Sequence, residues 1–203
     1  MANRALNLPN ILTYGRIIAV PLVVLCFFVD GKLQSSDFAR WSALAIFVIA
    51  SVTDYFDGYL ARAWQQQSNI GRMLDPIADK LLVSTCLLLL AADTDRTIAG
   101  WSLWAAIIIL CREILVSGLR EYLAELRVSV PVSRLAKWKT TWQLVAVGFL
   151  IAGDAGDRVA SALMKQELLV ITNIGLALLW LSALVTLYTG YDYMRAGLRH
   201  MID

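Results

Sequence analysis

Ser42-Ala-Leu-Ala-Ile-Phe-Val-Ile-Ala-Ser51-Val-Thr-Asp54-Tyr-Phe-Asp57-Gly58-Tyr-Leu-Ala61-Arg62 is followed, eight residues later, by Gly71-Arg-Met-Leu-Asp75-Pro-Ile-Ala-Asp79-Lys80. The stretch opens as an apolar run of membrane-helix length and ends in carboxylates, which are costly beside hydrocarbon unless they face a polar cavity or a partner. Asp54 and Asp57 stand three residues apart, and Asp75 and Asp79 four apart. On helices each pair shares one face, its members separated by about 4.5 and 6 Å of axial rise. The link from Trp64 to Ile70 is short and polar. It predicts two antiparallel neighbouring helices whose acidic edges face each other.

The rest of the chain repeats the apolar theme. Of 203 residues, 59% are hydrophobic and 17% charged, against about 45–50% and 25% in an average soluble domain. Mean hydropathy is +0.63, which excludes intrinsic disorder. Apolar segments fall at 11–29, 41–61, 74–92, 98–118, 135–152 and 168–194. The expected fold is all-α: a polytopic membrane protein with six transmembrane helices, forming one domain over 1–203 with a short surface lead-in at 1–10. Links such as Asp93-Thr-Asp-Arg96 and Gly153-Asp-Ala-Gly-Asp157 carry turn residues and are too short for a soluble domain.

With the N-terminus inside, 13 of the 18 Lys and Arg residues fall on or toward the cytoplasmic side, and only Lys32, Arg40, Arg96, Arg158 and Lys165 lie opposite. That is a positive-inside pattern, placing both termini at the cytoplasmic face of the inner membrane. The first segment lacks an A-x-A-like cleavage site and five more follow, so it reads as an uncleaved helix. A net charge of +2 excludes nucleic acid as a partner. Cys26, Cys86 and Cys111 are scattered through apolar context and read as small buried hydrophobes. His200 reads as a solvated tail residue, and Gly148 with Ala152 as a small-residue helix contact.

Four carboxylates gathered on facing edges repel one another unless cations hold them. Hard divalent cations prefer oxygen ligands, and two of them about 3.5–4 Å apart form the usual clamp for phosphoryl displacement. A centre of two Mg²⁺ or Mn²⁺ ions at the cytoplasmic membrane edge is therefore expected. Gly58 and Ala61 leave room for a phosphorylated group to approach the backbone, and Arg62 is placed to bind a phosphate. Gly71 loosens the entry to the next helix, and Pro76 is tolerable in a first turn. For any single acid, pairing with Arg62, Arg72 or Lys80 in a structural charge cluster is the competing reading; it does not explain the whole set.

Asp54, Asp57, Gly58, Ala61, Arg62, Gly71, Asp75 and Asp79 together resemble the complete signature of the CDP-alcohol phosphotransferases, with no departure at any fixed position. The resemblance implies a six-helix, homodimeric membrane enzyme that moves a phosphoryl-containing group from a CDP-activated donor to an alcohol and releases CMP. It implies that Asp54, Asp57 and Asp75 hold metal, and that Asp79 is the general base, a metal ligand, or both. The donor would be bound by Asp54, Asp57, Gly58, Ala61, Arg62 and Gly71.

Two further segments, Cys111-Arg112-Glu113-Ile-Leu-Val-Ser117-Gly118-Leu-Arg120-Glu121 and Ser133-Arg134-Leu-Ala-Lys137-Trp138-Lys139-Thr-Thr141, bring cations toward the same side. Arg112, Arg120, Lys137 and Lys139 are the expected acceptor-phosphate pocket, whereas Arg127 and Arg134 read as positive-inside topology. These segments, with Asn7-Leu-Pro-Asn10-Ile-Leu-Thr13-Tyr-Gly-Arg16, resemble the branch of the family that joins CDP-diacylglycerol to sn-glycerol 3-phosphate. Sister enzymes using inositol phosphate, serine or phosphatidylglycerol remain alternatives, as does a divalent-cation transporter in which the acids line an ion path. Asp57→Asn is expected to abolish turnover in folded protein; near wild-type CMP release from that variant would remove the metal-site assignment.

Overall fold

The computed structural model describes residues 8–28, 36–63, 69–93, 97–126, 134–164 and 169–202, which are helical with no strand among them. Six helices follow in order: α1 Leu8–Phe27, α2 Asp37–Ala63, α3 Asn69–Ala92, α4 Ser102–Glu125, α5 Arg134–Met164 and α6 Val170–Ile202. Of the expected surface lead-in, residues 1–7 lie outside the described residues, and 8–10 already belong to α1.

Helix α1 shows how this chain packs. Thr13, Arg16, Ala19, Val23 and Phe27 are buried, a stripe at helical spacing. Ile18, Leu22 and Leu25 on the other side are exposed. The buried stripe faces both α2 and α3, which pack on α1. This corrects the expected α2–α3 pairing: among the described residues these two helices make no extensive contact, and α1 lies between them. The acids of the two helices still converge at one end, where α1 places a guanidinium against Asp54 and Asp79.

Two buried ionic groups mark the ends of the bundle. At one end Arg16 of α1 meets Asp54 of α2 and Asp79 of α3. At the other, Arg40 near the start of α2 pairs with Asp93 just past the end of α3, both fully buried, and Arg40 lies 6.0 Å from the Phe27 ring at the end of α1. The two groups are separated along α1 by about 17 Å of rise. Successive helices α1, α2 and α3 therefore run in alternating directions. Packing of α5 on α6, α4 on α6 and α2 on α5 completes the bundle.

The segment 153–157, expected as a link, is instead helical within α5. Gly153 has φ 40° and ψ −127°, a kink rather than an exit from the helix. A Cβ at this position would lie 2.8 Å from Arg40 Nη1, so the glycine serves both the left-handed backbone and the guanidinium packed against it. Arg40 Nη1 also donates a long hydrogen bond, 3.5 Å, to the Ile151 carbonyl. Asp157 is used as well: its carboxylate accepts from the Ile171 amide at 2.6 Å and from the Thr172 hydroxyl at 2.5 Å, capping the start of α6. Turn-forming residues thus serve tertiary roles inside a helix. Gly148 faces Leu44 and Phe47 of α2, in keeping with its expected role at a helix contact.

The interior is largely hydrophobic with a few buried ionic groups, while large apolar side chains also cover much of the described surface; Cys86 is buried as expected, whereas Cys111 is exposed on α4, a correction to its expected burial. Ile107, Ile114 and Leu115 of α4 and Leu181, Leu184 and Leu187 of α6 are exposed. Among the described residues, Ser102–Glu125 and Val170–Arg195 are long and apolar enough to cross a membrane. Arg40→Met is expected to cost about 3–5 kcal/mol by removing a buried cation from beside the Asp93 carboxylate, and Arg40→Met/Asp93→Leu to recover much of it. Thermal unfolding in detergent checks this; equal losses in the single and double variants would contradict it.

Candidate active site

Thr13 and Arg16 lie one turn apart on the buried stripe of α1, so both point to the same place. Arg16 Nη1 is 2.5 Å from Asp54 Oδ1 and 2.8 Å from Asp79 Oδ1. The Thr13 hydroxyl donates to Asp75 Oδ1 at 2.6 Å. Asp54 is also within hydrogen-bonding reach of Asp79 and close enough to Asp75 for repulsion. Three of the four predicted carboxylates, carried by two helices, are therefore brought together by a third. Asp57, Gly58, Ala61 and Arg62 follow on α2, and Lys137 lies in the first turn of α5; their side-chain surroundings lie outside the described residues. Gly71 is buried in the first turn of α3.

The Arg16 side chain is fully buried, whereas those of Asp54 and Asp79 are 35% and 48% exposed. The cation lies beneath the acids, which remain open to a ligand from above. Asp54, Asp75 and Asp79 present hard oxygen donors there. Carboxylate oxygens are donors of the kind a hard divalent cation takes.

A second polar group joins α4, α5 and α6. Glu113 of α4 pairs with Lys139 of α5 and lies 3.2 Å from Arg112 Nη1. On its other side Arg112 Nη2 donates to the Thr189 hydroxyl of α6 at 3.1 Å. That hydroxyl donates in turn to the Val185 carbonyl at 2.9 Å. A Cβ at Gly190 would lie 2.9 Å from Arg112 Cγ, so the glycine makes room for the arginine stem. Arg120 is exposed and stacks over Tyr193 at 5.8 Å. The structure thus brings Arg112 and Lys139 together through Glu113, and places Arg120 farther along α4 at the surface.

The two groups touch through Lys80, which follows Asp79 on α3 and hydrogen-bonds Ser117 of α4. Sequence reasoning passed over Thr13 and Arg16 as site residues, and over Glu113, Ser117, Thr189 and Gly190 as supports. Arg16 had one available signal: it is an arginine inside an apolar run, where snorkelling to the interface is harder. Thr189 and Gly190 had none, because their use depends on a residue 77 positions away.

A family model described as CDP-alcohol phosphatidyltransferase matches residues 6–188. The chain is 42% identical over 192 residues to the CDP-diacylglycerol--glycerol-3-phosphate 3-phosphatidyltransferase of Rickettsia bellii, covering 94% of each chain. It is 38% identical to the Cereibacter sphaeroides protein of the same name, covering 97% of this chain and 98% of the relative. For the Shigella flexneri protein of that name the identity is 37%, with the same coverage. Arg16→Gln is expected to reduce turnover by about 100-fold or more and Thr13→Val by about 10-fold, since the first removes a cation shared by two carboxylates and the second a hydroxyl that donates to one. Steady-state CMP release checks the order; a larger loss in Thr13→Val would contradict it.

Proposed function

This chain belongs to the CDP-alcohol phosphatidyltransferase family, and on that footing we propose that it transfers the phosphatidyl group of CDP-diacylglycerol to sn-glycerol 3-phosphate. The products are phosphatidylglycerophosphate and CMP, a step of phospholipid biosynthesis. The observation that carries the reading is the pairing of two unlike sites: an acid-rich one on α1–α3 and a basic one on α4–α6. The first suits a metal-bound diphosphate, the second a phosphomonoester.

Asp54, Asp57 and Asp75 would hold two divalent ions, with Asp79 available as a further ligand. When bound, such ions neutralise the donor diphosphate and stabilise the charge that develops on departing CMP. Gly58, Ala61, Arg62 and Gly71 would accommodate and bind the CDP half. Arg112 and Lys139, with Arg120 and Lys137, would hold the acceptor phosphate. The acceptor hydroxyl attacks the β-phosphorus, the bond from that phosphorus to the CMP oxygen breaks, and Asp79 takes the hydroxyl proton. Arg16, 2.8 Å from Asp79 Oδ1, would fix the orientation of that carboxylate.

The proposal includes the setting. Six transmembrane helices forming a single domain fit the helix lengths, since the shortest, α1, has 20 residues and about 30 Å of rise, the thickness of the hydrocarbon core. The positive-inside distribution supports an inner-membrane location with both termini and the site at the cytoplasmic face. The donor's acyl chains would remain in lipid beside the helices. A homodimer is carried over from the family resemblance alone.

The test is CMP release by purified protein in detergent with CDP-diacylglycerol and Mg²⁺ or Mn²⁺, with candidate alcohols added singly. Release should require metal and glycerol 3-phosphate. Release with serine or inositol phosphate instead would overturn the acceptor, and metal uptake without CMP release would favour a transporter. Arg112→Ala should raise the acceptor KM about 10- to 100-fold, with a much smaller change in donor KM.

A further inference from the structure

Among the described residues, the buried cations have carboxylate partners: Arg16 with Asp54 and Asp79, Arg40 with Asp93, and Arg112 and Lys139 with Glu113. Lys80 differs. Its side chain is half-buried, and among the described residues its partner is the neutral Ser117 hydroxyl rather than a carboxylate. A partly desolvated ammonium with no counter-ion is a standing electrostatic cost unless an anion visits it.

The place of that ammonium is informative. Glu113, Ser117 and Arg120 are spaced i, i+4, i+7 on α4, so they share one face. Ser117 lies one turn from Glu113, the residue that gathers Arg112 and Lys139. Lys80 thus reaches from α3 to the basic face of α4. It also adjoins Asp79 in sequence, whose carboxylate turns the other way, toward Arg16 of α1. One turn of α3 therefore presents an acid to the donor site and a cation to the acceptor site.

The charges agree with this placement. Arg112 and Lys139 share one carboxylate, leaving a surplus of one positive charge, and Lys80 supplies a second. A phosphomonoester carries close to two negative charges at neutral pH. Arg120, exposed and stacked on Tyr193, stands at the mouth, where solvent screens it.

We propose that Lys80 is an acceptor-binding residue: its ammonium leaves Ser117 to bind the phosphate of the phosphorylated alcohol, which sets the acceptor beside Asp79. The inference rests on the acceptor reading given above and adds a specific contact to it. Lys80 selects for phosphorylated over neutral acceptors and ties phosphate binding to the position of the attacking hydroxyl. Ser117 holds the ammonium in place before the acceptor arrives.

The experiment compares full-length wild type, Lys80→Met, Lys80→Arg and Ser117→Ala in detergent, measuring acceptor KM, donor KM, kcat and inhibition by inorganic phosphate competing with glycerol 3-phosphate. Lys80→Met should raise the acceptor KM and the phosphate inhibition constant about 10- to 100-fold, the range for one charge-assisted hydrogen bond, with donor KM within about twofold. Lys80→Arg should restore most of the acceptor affinity, and Ser117→Ala should raise the acceptor KM by less than Lys80→Met does, because the ammonium remains. An unchanged acceptor KM in Lys80→Met overturns the inference. So does a joint rise of both KM values, or a Ser117→Ala variant matching Lys80→Met, because either marks Lys80 as a fastening between α3 and α4. Loss of turnover that no acceptor concentration restores, in protein eluting as wild type does, overturns it too. Wild-type release independent of glycerol 3-phosphate overturns the acceptor reading and this inference together; glycerol-3-phosphate-dependent release with unaltered Lys80→Met kinetics overturns this inference alone.

Discussion

The guanidinium of Arg16, shared between Asp54 of α2 and Asp79 of α3, is the interaction on which the arrangement depends. Carboxylates on two helices repel, and a chain that needs them together must supply a cation or keep them apart. Here the cation comes from the first helix, at the foot of a stripe that continues through Ala19, Val23 and Phe27 into the core. Packing of that stripe fixes the depth of Arg16, and the depth of Arg16 fixes where the acids converge. Burial beneath the carboxylates, rather than beside them, leaves their outer surfaces open.

The second half of the molecule uses the opposite device. On α4–α6 the convergent groups are cations, and the residue that gathers them is an acid, Glu113. An acid cluster organised by an arginine thus stands beside a basic cluster organised by a glutamate, with Lys80 and Ser117 at the join. Each organiser sits against groups of opposite charge, Arg16 against Asp54 and Asp79 and Glu113 against Arg112 and Lys139. The Arg40–Asp93 pair at the far end is different: both partners are fully buried, which suits a structural role. Its place beside the Gly153 kink joins α2 and α3 to α5.

Much of this was legible in the residues. Six apolar segments matched six helices because segment length and hydropathy are local properties. That Asp75 and Asp79 share a helix face could be read from spacing, since i, i+4 neighbours reveal a face without any knowledge of partners, and the structure brings both toward Asp54. What stayed hidden is tertiary. The α2–α3 link suggested direct neighbours, and nothing local announced that α1 would lie between them. Gly153 and Asp157 looked like a turn because glycine and aspartate favour turns by propensity. Tertiary packing overrode that propensity, with Arg40 occupying the space at the glycine and the aspartate capping α6. The cations at 112 and 139 were legible as residue types; what Thr189 and Gly190 do for Arg112 was not, because it exists only once α4 and α6 are packed.

The central claim is that α1 assembles acids of α2 and α3 into a metal-binding donor site. Titration of purified wild-type protein and Asp75→Asn with Mn²⁺, followed by electron paramagnetic resonance with and without the donor lipid, tests it most directly. The account predicts saturable uptake approaching two ions per chain in wild type with donor present, and a loss of bound ion in Asp75→Asn. Equal uptake by the two proteins, or no saturable uptake by either, would contradict it.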